Sequence, residues 1–513
     1  MWFCRIFNGA YRGVVRDDEL LRKLDLIAIS AAVGTILFSN TGGAALTGYA
    51  SAFGAGEFMF GLISALPVLG SLMQLFVSYM ILKTGKRKAL FMVGGIIQRT
   101  LWTATAAIPY FCPEQFARYR VWVLLVMITL AAMSGSFVGV THTSMVAEVV
   151  PIDIRGRYLT TRQRITTIFS LLAGLGASYV LDHFTGFSGY TFVFAVSGLA
   201  GLTDILLYVR FRFPETPRSE KKFSLADGFR ECFRSPKTRN FLIFWAAWGF
   251  AINFSSAFFS KYAIDVLKLS FTQIILFGQI ASNVAVVLIV RRWGRFIDRY
   301  GCAPLVMFTG TATAVLTLIW LPATPGNFVP LLLFNLLGGF VWCANDVSAV
   351  NMQLSHTPDI GRPLALAIYA VVTSVAAAVA FISGGAFLEL TAPVMARAGL
   401  TILGTPFDHY KLLFCIATAL RLAAVLVFLP RVWNEKEMTV REVYADIWRR
   451  LVNYFRMLRV AFVVYRRKKA LARAAAVADD EGGPDGPGRL GGGSNNLRDL
   501  GEDLGDDPDD PNK

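Results

Sequence analysis

Hydrophobic residues in this chain come in long unbroken blocks, from near Leu24 to near Val432, rather than at the alternating or 3.6-residue spacing of half-buried elements. Twelve blocks reach the roughly 20 apolar residues that a helix needs to cross a hydrocarbon core about 30 Å thick. They fall at 24–50, 57–82, 89–110, 121–148, 158–182, 190–211, 241–262, 271–292, 304–322, 329–353, 363–388 and 409–430. Backbone groups in lipid must bond within their own segment, and no block shows the ten-residue alternation of a membrane barrel. The predicted fold class is therefore an all-α polytopic membrane protein with 12 transmembrane helices.

Composition supports this: 55% of residues are hydrophobic and only 17% charged, against roughly 25% charged in soluble domains. The distribution of the +15 net charge gives orientation. The loops at 83–88, 155–164, 210–239, 291–299 and 362 carry 22 Lys and Arg, the alternating loops 6. Basic flanks resist translocation, so both termini are predicted to lie in the cytoplasm of a multi-pass cell-membrane protein. Residues 1–23 then form a cytoplasmic segment, and they lack the compact apolar region of a cleaved signal peptide. The six cysteines are scattered without a C-x-x-C pair, which predicts neither a disulfide framework nor a zinc site. The segment 212–240 divides the blocks into 24–211 and 241–430. Within it Ser224 can cap a short amphipathic helix bearing Phe229 and Phe233, either as a solvated linker or on the membrane surface.

The two halves resemble each other in their loops. Lys83-Thr84-Gly85-Lys86-Arg87-Lys88 follows the second block, and Gly294 to Gly301 (GRFIDRYG) follows the eighth. Pro151-Ile152-Asp153-Ile154-Arg155-Gly156-Arg157 follows the fourth, and Pro358-Asp359-Ile360-Gly361-Arg362 the tenth. A six-plus-six duplication is implied.

On these residues the sequence resembles the major facilitator superfamily (MFS) of secondary transporters, over about residues 20–432. The family's G-x-x-x-D-R-x-G pattern is matched by Gly294, Asp298, Arg299 and Gly301, with Cys302 and Ala303 where a basic pair is usual. The earlier loop keeps Gly85, Lys86 and Arg87 but has Ser78 and Leu82 where glycine and aspartate are usual. The P-x-x-x-R-G-R stretch, followed by Arg162 and Arg164, looks like a largely uncharacterised bacterial subgroup. The resemblance implies two pseudo-symmetric six-helix bundles around a cavity lined by the first, fourth, seventh and tenth helices. It also implies that Asp298 latches the cytoplasmic face when that face is closed, by pairing across the halves.

Polar residues inside these four helices are the site candidates. In the tenth, Asn335, Trp342, Asp346, Ala349 and Gln353 share one helical face, with Asn345 beside it. A carboxylate at that depth costs several kcal/mol unless it meets water, substrate or a partner, so Asp346 is either the proton-coupling group or a hydrogen-bonded structural acid. His142, flanked by Thr141, Thr143 and Ser144, sits at the matching depth in the fourth helix and is either a substrate ligand or a packed side chain. Asn253 in the seventh and Asn40 in the first are cavity-wall candidates, while neighbouring glycines and serines suit close helix packing. Arg99 and Asp204 stand at depths that allow a structural pair, whereas Arg421 has no evident acid partner. Glu148 is assigned to a cytoplasmic gate with Arg155 or Arg157.

Beyond the last block, Trp448, Leu451, Phe455, Leu458, Phe462 and Tyr465 predict an amphipathic helix in a basic segment, 431–475, suited to anionic lipid rather than nucleic acid. The acidic, Gly- and Pro-rich residues 476–513 are predicted to be disordered. No nucleotide-binding loop, metalloprotease run or catalytic triad is present in the sequence, so no enzyme, cofactor or metal is predicted. The leading reading is secondary active or facilitative transport of a small solute by a monomer, with or without protons. Its predicted substrate residues are Asn40, His142, Asn253, Trp342, Asn345 and Asp346; its predicted gate is Gly85, Arg87, Glu148, Arg157, Asp298 and Arg299. The alternative is a transporter-like receptor or assembly factor signalling through its C-terminal segment.

Overall fold

The structure, a computed structural model, describes residues 18–112, 114–212, 225–356, 362–402 and 404–432, with isolated positions 442, 446 and 449. These continuous stretches belong to one compact unit, Met1–Val440; a second unit is Arg441–Lys513. The predicted basic helix around 448–465, the acidic tail, most of residues 1–23, the first half of the 212–240 linker and the loop at 358–361 lie outside the described residues.

Among the described residues, ten helices are long and apolar enough to cross a membrane: Glu57–Ile81, Glu114–Val146, Ile152–His183, Ser188–Leu207, Pro236–Val266, Phe271–Ile289, Cys302–Trp320, Val329–Gln353, Ala367–Ala398 and His409–Val432. They occupy the second and the fourth to twelfth predicted positions. The first position is helical as Asp18–Asn40 and Gly43–Ala52, and the third as Arg87–Thr105, where Gln98 and Arg99 interrupt the apolar run. The chain is a polytopic all-α membrane protein. Several helices outrun the predicted blocks, the fifth starting at Ile152 and the eleventh reaching Ala398, because a helix can project beyond the hydrocarbon boundary that set those blocks.

Glycines punctuate both halves alike. Gly85 after the second span and Gly301 after the eighth have φ of +67° and +90°, where a side chain would be strained. The first span breaks at Thr41 and Gly42, with Gly43 at φ +53°. Thr41 offsets the break by giving both its N–H and its hydroxyl to the Leu37 carbonyl, at 2.9 and 2.8 Å. Residues Leu225–Arg234 form a short helix, whose Phe229 and Cys232 pack with Leu242 and Ile368 at the base of the C-terminal half; the predicted cap, Ser224, lies outside the described residues.

Loops alternate between two faces. The near face carries Asp18, Gly85, Val150, Gly301 and Val432; the far face carries the loops at 53–56, 184–187, 267–270 and 399–408. Toward the far face the halves meet along the second and eleventh spans, where Gly61 faces Phe381 and Gly385 and Gly385 faces the Glu57 carbonyl. A Cβ on Gly61 would sit 2.6 Å from the Phe381 carbonyl oxygen, and one on Gly385 2.7 Å from that of Glu57. Small residues are what permit this backbone approach. Gly385→Leu should therefore cost about 1–3 kcal/mol by overpacking, read as a lower thermal unfolding midpoint of the purified protein. Gly139→Ala, where an added Cβ meets no atom within 4 Å, should leave the midpoint unchanged; equal behaviour of the two variants would argue against a tight seam.

Candidate functional site

The far face is closed by polar contacts between the halves. Lys261, at the end of the seventh span, places its ammonium 2.6 Å from Asp265 and 3.4 Å from Glu57 at the start of the second. The Tyr410 hydroxyl donates to the same Glu57 carboxylate at 2.6 Å, and Ser51 donates to Asp265 at 3.1 Å. Nearby, Glu389 accepts the Phe58 N–H at 2.9 Å. On the other side of the interface Asp182, from the fifth span, accepts the N–H groups of Phe271 and Thr272 at 2.8 and 2.9 Å. This caps the eighth span with an acid from the opposite half, which satisfies two of its free donors.

At the near face several contacts run within a half. Arg87 makes a two-pronged ion pair with Glu148, at 2.8 and 2.9 Å, and Lys88 donates to the Val209 carbonyl at 2.7 Å. In the C-terminal half His356 stacks on Phe241 at 5.0 Å. Two predicted gate residues, Arg87 and Glu148, are thus joined, but the partner of Glu148 is Arg87 from the third span rather than one of the arginines after the fourth. Arg155 instead donates to the Val150 carbonyl at 3.2 Å. Arg157 is exposed, and Arg299 lies over the Tyr300 ring at 5.5 Å. The side chain of Asp298 lies outside the described residues.

Beneath the closed face, a central cavity of about 700 Å³ lies between the halves. Its polar wall is uncharged: Ser39, Asn40, Ser178, Ser256, Ser260, Gln279, Asn283 and Asn335, interleaved with Phe38, Phe259, Phe271, Trp320 and Phe334. The broken first span contributes Asn40, Gly42 and Gly43, the arrangement by which discontinuous helices offer polar groups at membrane depth. Asn40 is directed partly elsewhere, since its amide donates to Ser197 at 3.1 Å.

Two side chambers flank the central cavity, one lined by the N-terminal half and one lined by the C-terminal half together with Val68 of the second span. A C-terminal chamber of about 380 Å³ is lined by Trp245, Trp248, Asn253, Trp342, Asn345, Asp346 and Tyr369. Asn345 is only 3% exposed; it accepts from Thr309 at 3.1 Å, while its amide nitrogen has no partner among the described residues. The buried Trp245 Nε1 likewise has no partner among the described residues, and such a donor is normally satisfied by protein or by water. Asn253 gives its amide to the Gly249 carbonyl at 2.7 Å and keeps its oxygen toward Ser256. An N-terminal chamber of about 570 Å³ is lined by Ser30, Gln74, Gln98, Arg99, His142, Arg162, Gln163 and Asp204. There Arg99 pairs with Asp204 at 2.9 Å and donates to Gln98 at 2.5 Å, while Ser30 also donates to Asp204. His142 packs between the rings of Phe91 and Tyr208.

Of the six predicted substrate residues, four meet in the C-terminal chamber: Asn253, Trp342, Asn345 and Asp346. Asn40 lies on the central cavity wall and His142 in the N-terminal chamber, so the pseudo-symmetric match of His142 to Asn345 or Asp346 is one of depth, across separate chambers. Helical spacing identified faces but carried no information about which faces share a void. In the sequence the far-face set of Glu57, Lys261, Asp265 and Tyr410 has little to distinguish it, because charges at block ends are normally solvated. Its sequence signal is an acid opening one block and a lysine closing another, both on the basic-poor side.

The family model described as Major Facilitator Superfamily matches residues 27–292. No curated protein matches the chain. Among solved structures, the inward-open xylose transporter XylE from E. coli is similar at 16% identity and TM-score 0.59, covering 82% of this chain and 99% of its own. The nucleoside transporter NupG is similar at 13% identity and TM-score 0.57, covering 80% of this chain and 99% of its own. A bacterial homologue of the human lysosomal transporter Spinster, in an inward-facing and unoccupied conformation, is similar at 12% identity and TM-score 0.56, with 82% and 100% covered. These likenesses are of fold. Together with the family match they settle what the paired helical halves are: this chain belongs to the Major Facilitator Superfamily and is a multi-pass membrane transporter.

Proposed function

We propose that this chain moves a small polar organic solute across the cytoplasmic membrane by alternating access, with residues 24–211 and 241–430 as the two rocking halves. The observation that carries the reading is the band of inter-half contacts around Glu57, Lys261 and Tyr410 above an uncharged polar cavity. Closure at one face of a central site is one of the two states such a cycle requires. The excess of Lys and Arg on the near-face loops supports a cytoplasmic near face and cytoplasmic termini. The far-face contacts then belong to the state closed to the outside. The near-face residues Gly85, Arg87, Glu148, Arg157, Asp298 and Arg299 serve the opposite gate. Energy comes from a solute or proton gradient, and Asp346, exposed within the C-terminal chamber, is the carboxylate available to a proton.

A single cysteine placed at Ser39 on the central cavity wall, in a chain whose own cysteines are replaced, tests this. A membrane-impermeant maleimide should label it in inside-out vesicles and, more slowly, in right-side-out vesicles. Labelling from one side under every condition would leave a receptor and not a transporter.

A further inference from the structure

The two side chambers carry opposite charge. In the N-terminal chamber the Arg99 and Asp204 charges cancel within their pair. Arg162, on the same wall, forms no ion pair among the described residues, and its buried Nε has no partner. The chamber therefore holds one cation in excess. In the C-terminal chamber Asp346 is the charged group; it is exposed to the void and takes part in no hydrogen bond or ion pair among the described residues. Around it stand the rings of Trp245, Trp342 and Tyr369, and aromatic faces attract organic cations. The N-terminal chamber shares Thr35 and Phe38 with the central cavity, and Val68 of the second span lines the C-terminal chamber close to where Ser71, on the N-terminal wall, comes within 3.5 Å of Ser374, on the C-terminal wall, so both chambers open off one central site.

A charge without a counter-charge on the wall of a transport pathway favours a ligand that brings one. One guanidinium in one half and one carboxylate in the other are neutralised together by a single ligand that carries both complementary charges. We propose that the transported solute is a zwitterion: its carboxylate or other anionic group binds Arg162, and its ammonium or quaternary ammonium group binds Asp346 within the aromatic wall. Such a ligand touches both halves at once, which lets its binding bias their relative position. The inference rests on the transport reading and names its substrate class.

The test uses the purified full-length protein and isothermal titration with ω-amino acids of three to six carbons and glycine betaine. The n-alkylamines and n-alkanoates of matching length are the single-charge controls. At least one zwitterion should bind about tenfold or more tighter than either control, as expected for losing one charge-assisted contact. Arg162→Gln should remove that advantage over the alkylamine, and Asp346→Asn that over the alkanoate. Arg162→Lys and Asp346→Glu should restore it in part, which separates lost charge from lost folding. Equal binding of alkylamine and zwitterion with Arg162→Gln silent would reduce the site to a cation site. If no zwitterion of the series binds while the Ser39 cysteine still reacts from both sides, the substrate class is wrong and transport stands. If zwitterions bind as described but labelling stays one-sided, the transport reading falls and the zwitterion site survives.

Discussion

Replacing Lys261 with glutamine should open the far face, raising the rate at which an external maleimide labels a cysteine at Ser39 by about ten- to a hundredfold. The Lys261 side chain is almost fully buried between the Asp265 and Glu57 carboxylates, which keep 30% and 17% side-chain exposure. Removing the ammonium leaves two acids facing each other beneath Tyr410. Stranding a buried partner costs about 3–5 kcal/mol, and the partial exposure of these acids brings that nearer about 1.5–3 kcal/mol. Both acids regain water when the halves part. The cost therefore falls on the closed state alone and shifts the equilibrium at about 1.4 kcal/mol per factor of ten. Adding Glu57→Gln to Lys261→Gln removes one of the stranded charges and should recover part of the closed population. An external labelling rate unmoved by Lys261→Gln would mean that the glycine seam, not the ionic cluster, holds this face.

What the sequence made legible follows from which interactions leave a local mark. Membrane spans are written in composition, and the near-face turns in the glycines that end the second and eighth spans. The Arg99–Asp204 pair was legible because a charge inside an apolar run has so few acceptable neighbours that matching depth nearly names its partner. Helical phase put Asn335, Trp342, Asp346, Ala349 and Gln353 on one face with Asn345 beside it, yet Asn335 lines the central cavity while Trp342, Asn345, Asp346 and Ala349 line the C-terminal chamber. It could not say that Asn253 shares their chamber while His142 does not, since that depends on how helices rotate against each other.

Contacts between distant segments left no comparable mark. Glu57 and Tyr410 are separated by more than 350 positions, and neither is unusual where it stands in the chain. In the sequence Arg162 is one more base after the P-x-x-x-R-G-R stretch. Its proximity to the Arg99–Asp204 pair comes from the fifth span continuing from Ile152 to His183, so that a residue near the predicted boundary points into a chamber. The gate pairing illustrates the same limit: Arg87 and Glu148 were both on the gate, yet the sequence offered Glu148 nearer arginines than the one it meets.

Among the described residues, the two most deeply buried guanidinium groups should respond in opposite ways when their charge is removed. Arg99 and Arg421 are 2% and 1% exposed, so burial does not distinguish them. Arg99 has an acid, and Arg99→Leu strands Asp204 with Ser30 as its remaining donor. That loss should cost about 3–5 kcal/mol, with Arg99→Leu/Asp204→Leu recovering most of it, because the pair as a whole contributes little net stability. Arg421 has no ion-pair partner among the described residues. It is held by the hydroxyls of Thr317 and Ser255 and by the carbonyls of Thr313 and Ile252, the last two at 3.3 and 3.4 Å. Arg421→Met fills much of the same volume without a charge, and Thr317 keeps its own bond to the Thr313 carbonyl at 3.1 Å. Its thermal unfolding midpoint in detergent should stay level or rise, while that of Arg99→Leu falls by several degrees. A fall in Arg421→Met as deep as in Arg99→Leu would show that two hydroxyls and two carbonyls solvate a buried guanidinium as well as a carboxylate does.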